Sequence, residues 1–211
     1  MANPSATGLS GKHTSLWLDT TPELDFNDFQ PGIQLDVVIV GGGIAGLTAA
    51  ALLKEAGKTV AVLEARKLLH GVTGYTTAKV TSQHSLVYER LRQQLGDDKA
   101  RLYGEANQAG VETIARLVHE RQISCDFLRT EAYTVTETPE GVEAIRQEAE
   151  TAARLGLPAS FMETSPLPFS IRAAIRFDGQ AQFHPRKYLQ ALAWEIPGQG
   201  SHVFEHTRVL G

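Results

Sequence analysis

Apolar positions fall into short runs separated by glycine and polar turns, and the period changes along the chain. Leu35–Val40 is apolar and β-branched and ends at glycine, which predicts a buried parallel strand. Ile44–Ala56 is rich in Ala and Leu, and Gly57 stands where a helix C-terminal glycine belongs. Thr59–Leu63 predicts a second buried strand, so the three segments form a βαβ unit. Residues 65–83 carry many Gly and Thr but no period. Helical spacing returns over Ser85–Leu95 and Asp97–Gln122, through Tyr103, Ala106, Ile114, Leu117 and Val118, with Asp97 expected as the cap of the second helix.

Alternation through Phe127, Tyr133 and Val135 predicts a strand over Cys125–Glu137. Thr138-Pro139 then opens a helix that ends near Gly156, and Ile171–Phe177 reads as another strand. His184-Pro185 starts a short helix through Tyr188, Leu189, Leu192 and Trp194, and His202–Leu210 alternates as a final strand. Residues 1–34 contain Pro4, Pro22 and Pro31 and read as a mobile or surface-wrapping extension, with anchors at Leu16, Trp17, Leu18 and Phe26–Phe29. There is no internal repeat.

Composition narrows the function without choosing it. The chain has 211 residues, and a hydrophobic content of 42% is ample for a globular core. The 20 Lys and Arg against 24 Asp and Glu, with no basic block, argue against nucleic acid as a partner. The first 35 residues lack the basic start and apolar run of a secretory signal, and Val37–Leu53 is too broken by glycine for a membrane span. The single Cys125 excludes an internal disulfide and fits a reducing compartment, so the expected location is cytoplasmic.

The chemistry concentrates in Gly41-Gly42-Gly43-Ile44-Ala45-Gly46. Glycines at this spacing let the backbone turn tightly, approach a pyrophosphate and pack the next helix against the strand. Context raises the motif above a bare glycine turn: a strand precedes it, a helix follows, and Glu64 ends the next strand. Glu64 stands 23 positions after Gly41, close to the usual spacing of about 20 residues to a ribose-binding acid. Amide groups at the helix start and the positive end of its dipole suit the pyrophosphate, while Glu64 suits the ribose hydroxyls and disfavours a 2′-phosphate.

The stretch from Asp36 to Gly46, continuing through Val62-Leu63-Glu64, resembles the opening of the D-amino acid oxidase-type FAD-dependent oxidoreductases. Gly71-Val72-Thr73-Gly74-Tyr75-Thr76-Thr77-Ala78-Lys79 is similar to the family's second loop, whose small hydroxyl residues touch the pyrophosphate and the flavin edge. Phe183–Leu189 resembles the segment by which the family's chain leaves its substrate domain. His206-Thr207-Arg208-Val209 resembles the strand whose valine lies by the adenine. The resemblance implies FAD as cofactor. It places its contacts at Gly41, Gly43, Ile44, Ala45, Gly46, Glu64, Ala65, Arg66, Thr73, Thr76, Thr77, Ala78, Lys79 and Val209. Thr76–His84 is closest to a bacterial branch that carries a Rieske domain after the oxidoreductase part. One cysteine cannot supply that domain's two-Cys, two-His ligand set.

Other residues have plainer readings beside functional ones. Lys79 stabilises reduced flavin or is solvated, and Arg66 approaches the pyrophosphate or covers the adenine edge. His70, His84, His184, His202 and His206 lack metal-ligand spacing, although His202 and His206 share a face of the expected strand, and no metal site is predicted. Cys125 reads as a small buried hydrophobe, and Tyr133 and Trp194 as core or pocket-wall aromatics. Glu143, Arg146, Glu150 and Arg154 read as a solvated helix face.

The expected fold class is α/β, a Rossmann-like FAD-binding βαβ domain with an incomplete parallel sheet and the beginning of an inserted α+β substrate domain. Residues 1–34 form the extension, 35–122 and 183–211 the two parts of the FAD-binding domain, and 123–182 the substrate-domain segment. The family implies hydride transfer from an amine or amino-acid-like small molecule to flavin, with oxygen or a redox partner as final acceptor. The chain reads as the N-terminal portion of a larger enzyme, and no catalytic residue is assigned. An NAD-dependent dehydrogenase, or a non-catalytic dinucleotide-binding fragment, shares the same βαβ unit.

Overall fold

The computed structural model describes residues 12–210. In chain order the elements are α1 (Leu16–Asp19), β1 (Val37–Val40), α2 (Ile44–Glu55), β2 (Val60–Leu63), a 3-10 turn (Val72–Tyr75), β3 (Lys79–Val80), α3 (Tyr88–Leu95), α4 (Asp97–Glu120), β4 (Leu128–Thr136), a second 3-10 turn (Pro139–Gly141), α5 (Val142–Arg154), β5 (Ala159–Met162), β6 (Ala173–Gln182), α6 (Pro185–Glu195) and β7 (His202–Phe204). The chain divides into two compact units, one made of the described residues of Met1–Tyr75 and Leu189–Gly211, the other of Thr76–Tyr188. Helices α3 and α4, grouped above with residues 35–122, lie in the second unit. No helix among the described residues is long and apolar enough to cross a membrane.

The first unit is built on a parallel sheet of order β1-β2-β7, as the βαβ pattern requires. Val37 pairs with Val60 and Ala61 with His202. The β1–β2 register is set at its start: Asp36 Oδ2 accepts both the N–H and the hydroxyl of Thr59, at 2.8 and 2.9 Å. Helix α2 packs on both strands and ends as predicted, with Gly57 at φ +80° donating its N–H to Lys54 O. Lys54 in turn donates to the carbonyls of Glu195, Ile196 and Pro197, where a cation offsets the negative end of α6.

Two expectations for this unit are corrected. Within this chain β2 is buried, but alternate residues of β1 are not: Val38 and Val40 are 53% and 67% exposed, and β1 pairs only with β2 among the described residues. The final strand stops at Phe204 rather than Leu210, since His206 takes φ +52°, a left-handed conformation that ends extended pairing. His202 and His206 therefore do not share a strand face.

The N-terminal segment wraps this unit. Leu24 is buried, Phe26 lies 5.1 Å from Trp194 between ring centroids, and Phe29 packs edge-on against Phe204 at 5.5 Å. Leu16, expected as an anchor, is 63% exposed and starts the short helix α1, capped by Ser15. Pro4 lies outside the described residues.

The second unit is an antiparallel sheet of order β3-β6-β4, with β5 also on β6, covered by helices. Tyr88, Ala100, Ile145, Ala149, Ala152, Ile175 and Phe177 form its core. Sequence reading missed β5 and ended β6 at Phe177, five residues early. The reason is a bulge: Asp178 and Gly179 together oppose Glu131, with Gly179 at φ +66°. Asp97 is not a cap but the first helical residue of α4, where its charge favours the helix dipole, and Gly96 at φ +84° holds the cap position. Cys125 is buried, and burial pushes its thiol pKa up to about 11.

Candidate cofactor site

β1 delivers the chain to Gly41, whose φ of +105° is open to glycine and strained for any other residue. Its N–H donates to Leu63 O at 2.9 Å, tying the turn to the end of β2. A Cβ on Gly46 would run into the Gly41 carbonyl oxygen, and one on Gly42 into the Leu68 side chain. The glycines are thus required by close approach within the turn as well as by its torsions.

Gly43 is the N-cap of α2, in extended conformation and without a side-chain cap, and the first turn of α2 carries no acid. Ile44 and Ala45 are exposed, so the amide end of the helix faces outward and no acid of its own first turn offsets its positive dipole. Thr73 Oγ1 accepts the Ile44 N–H at 3.4 Å, which brings the second glycine- and threonine-rich loop to the first.

Glu64 follows β2. Its Oε2 accepts the Gly42 N–H at 2.8 Å and its Oε1 the Arg66 N–H at 3.0 Å. The main chain of Glu64 is held as well: its N–H donates to Phe204 O and its O accepts the Thr207 N–H. The carboxylate is therefore fixed beside the turn, and each oxygen retains acceptor capacity for a ligand hydroxyl. Ala65 and Arg66 are exposed next to it, and Arg66 O accepts the His206 N–H.

The first unit thus brings together Gly41, Gly43, Ile44, Ala45, Gly46, Glu64, Ala65, Arg66 and Thr73. Val209 lies beyond the end of β7 and is half exposed; Thr207 leads its segment past Glu64. Thr76, Thr77, Ala78 and Lys79 belong to the second unit. There Ala78 adopts φ +61° and donates its N–H to Thr76 Oγ1, and Lys79 opens β3 opposite Gln182. Strain at a non-glycine residue persists where surroundings over-determine it, a recurrent property of ligand loops.

Lys79 also borders a cavity of about 350 Å³ within the second unit, whose walls include Thr81, Gln83, Glu131, Tyr133 and Gln180. Tyr133 is thus a pocket-wall residue, as is Trp194, which borders a cavity of about 280 Å³ in the first unit. Among the described residues no group of three or more His, Cys, Asp or Glu could hold a metal ion. Burial lowers the His184 pKa, with the Lys187 charge in the same direction.

Sequence reasoning missed Leu68, whose side chain fills the space over Gly42, and Glu205, described below. Leu68 carries no motif, and only its position four residues after Glu64 pointed to it.

The geometry fits a dinucleotide: a cradle that a Cβ would fill, a helix N-terminus whose N-cap glycine offers no capping side chain, and a fixed acid at the ribose position. Comparison with known proteins agrees. The profile of the family described as FAD dependent oxidoreductase, DAO, matches residues 36–211. YhfW of Bacillus subtilis (strain 168), named for a Rieske 2Fe-2S iron-sulfur protein, is 38% identical over 194 residues, covering 92% of this chain and 38% of its own length. Gamma-glutamylputrescine oxidoreductase of Escherichia coli (strain K12) is 30% identical over 190 residues, 87% of this chain and 44% of that protein. This chain spans less than half the length of either relative. Among solved structures, glycine oxidase from Geobacillus kaustophilus matches with a TM-score of 0.61 at 19% identity, over 84% of this chain and 48% of that one. L-amino acid deaminase from Proteus vulgaris matches with a TM-score of 0.67 at 15% identity, over 88% and 43%. The fold, the glycine cradle and the matched profile agree that the chain belongs to the DAO family of FAD-dependent oxidoreductases.

Proposed function

We propose that the protein oxidises an amine or amino-acid-type small molecule, with this chain holding the adenine-dinucleotide half of FAD. The observation that carries the reading is Glu64, fixed by the amides of Gly42 and Arg66 beside the open N-terminus of α2. Bound FAD supplies the acceptor for hydride leaving the carbon beside nitrogen.

The chain's own residues bind and orient. Amides of Gly43, Ile44 and Ala45 take the pyrophosphate, on the positive end of the helix dipole. Glu64 accepts the ribose hydroxyls, and its charge repels a 2′-phosphate. Ala65, Arg66 and Val209 line the adenine side. Thr73 would meet the pyrophosphate, and the family resemblance assigns Thr76, Thr77, Ala78 and Lys79 to contacts with the pyrophosphate and the flavin edge. The cavity bordered by Glu131 and Tyr133 is the candidate face for substrate.

The substrate class is supported by the names of the relatives, a gamma-glutamylputrescine oxidoreductase and, by fold, a glycine oxidase and an amino acid deaminase. Similarity to YhfW supports a redox partner as an electron acceptor beside oxygen. The deciding experiment is anaerobic titration of the purified full-length protein with diamines, amino acids and, as controls, the matching alcohols. Flavin absorbance bleached by the nitrogen compounds alone is expected. A colourless protein that FAD cannot reconstitute, or one that alcohols bleach as readily, overturns the reading.

A further inference from the structure

We infer that Glu205 is a positioning residue of the cofactor site, locking the loop after β2 against the glycine turn. Glu205 is fully buried, one residue past β7. Its Oε1 accepts the Leu68 N–H at 2.7 Å, and its Oε2 accepts from the Lys67 ammonium at 2.9 Å and the Phe26 N–H at 3.2 Å. Its main chain donates to Asn27 O at 3.3 Å. A buried carboxylate is stable only with such a complete donor set.

The contacts form a continuous path to the cradle. Leu68 is pinned through its amide, and its side chain stands where a Cβ on Gly42 would be, with Cγ 3.3 Å from that point. The next residue, Leu69, is buried at φ +62°, a conformation that costs a branched residue energy and must be imposed. Its carbonyl oxygen in turn lies so close to Gly74 that a Cβ there would sit 2.7 Å away. Glu205 thereby fixes one wall of the turn whose Gly42 amide orients Glu64.

The N-terminal segment completes the arrangement. Phe26 supplies a donor, Asp25 shares Lys67 at 3.0 Å, and Lys67 also donates to Leu24 O at 3.3 Å. Leu24, Asp25 and Phe26 lie before the matched family profile begins at residue 36. The lock therefore joins the family domain to a segment outside it.

The inference rests on the cofactor placement proposed above, and Glu205→Gln tests it. Both carboxylate oxygens face donors, so in either orientation the amide NH2 meets another donor. In the full-length protein, affinity for FAD and for ADP should fall by the same factor, about tenfold or more. The midpoint potential of the flavin that remains bound should not move, because the lock acts on the adenine half alone. A Leu192→Ala variant in the buried part of α6, matched for loss of thermal midpoint, should keep its ADP affinity when measured well below that midpoint.

Unchanged ADP affinity in folded Glu205→Gln overturns the inference while leaving the cofactor site intact. Wild-type protein that binds neither FAD nor ADP overturns both. If Glu205→Gln does not fold, Leu68→Ala carries the test: weaker ADP binding supports the lock, and unchanged binding refutes it.

Discussion

Glu148, on α5, accepts the backbone N–H of Tyr88 at 2.7 Å across 60 positions of chain. Its second oxygen accepts the Glu89 N–H at 2.8 Å. Helix α3 has Val87 at its N-cap and no side-chain cap of its own, so a carboxylate from another helix takes that role. Because Glu148 is 1% exposed, no water replaces it. Glu148→Ala should cost about 2–4 kcal/mol by leaving the buried Tyr88 donor and the half-buried Glu89 donor unpaired at a positive helix end. Glu148→Gln should cost less, since one acceptor remains. Urea unfolding of both variants measures the difference, and equal losses would contradict this account.

Glu89 predicts an acid dependence. Hydrogen bonds from Arg92, then from Thr151, lower its pKa to about 2. A depressed carboxylate contributes stability above its unfolded pKa and loses it as pH falls toward the folded one. The wild type should therefore exceed Glu89→Gln in urea midpoint at neutral pH, and the gap should close from about pH 4.5 down to about pH 2. A gap independent of pH would exclude the ion pair as its origin.

Two glycines should respond with opposite sign. Gly46→Ala drives a Cβ into the Gly41 carbonyl oxygen and should destabilise the fold and loosen FAD together. Gly110 is exposed within α4 with open space at its Cβ position. Gly110→Ala should stabilise by about 0.5–1 kcal/mol through helix propensity. Thermal midpoints of the two variants against wild type give both signs in one series.

Glu64 should matter to the ligand more than to the fold. Glu64→Ala removes the ribose acceptor and releases the Gly42 amide, weakening FAD by about 1.5–3 kcal/mol. Glu64→Gln places an NH2 toward either the Gly42 or the Arg66 donor and should fall between. Fluorescence titration of apoprotein with FAD reads the order, and Glu64→Ala binding as tightly as wild type would remove Glu64 from the site.

The sequence carried the βαβ unit because its signals are local: glycine spacing, an Ala-rich helix, Gly57 at the helix end and Glu64 at the strand end. Glu205 left no such trace. It occupies an ordinary polar place in an alternating stretch, and its burial is set by Lys67, 138 positions away. The extension was legible as a wrapping segment: Phe26 and Phe29 pack on Trp194 and Phe204 as the pattern offered, whereas Leu16 is exposed and the buried Leu24 had no signal of its own. β5 was silent because its four residues, Ala-Ser-Phe-Met, are all half-buried and lack alternation.

The bulge in β6 means that chain length, rather than composition, decides which side chains meet the helices. Before it, Ala173, Ile175 and Phe177 face the core; after it, the even-numbered Gln180 does so, donating to Gln108 on α4 at 3.2 Å and accepting the Ser82 N–H at 2.7 Å. Gly179 resets the phase of the strand, so that its two halves keep the same neighbours with opposite parity. Deleting Gly179 would leave a regular strand with Gln180 still opposite Thr130, whereas flattening the bulge with the residue retained would turn Gln180 to the other face and leave the Ser82 amide without its acceptor.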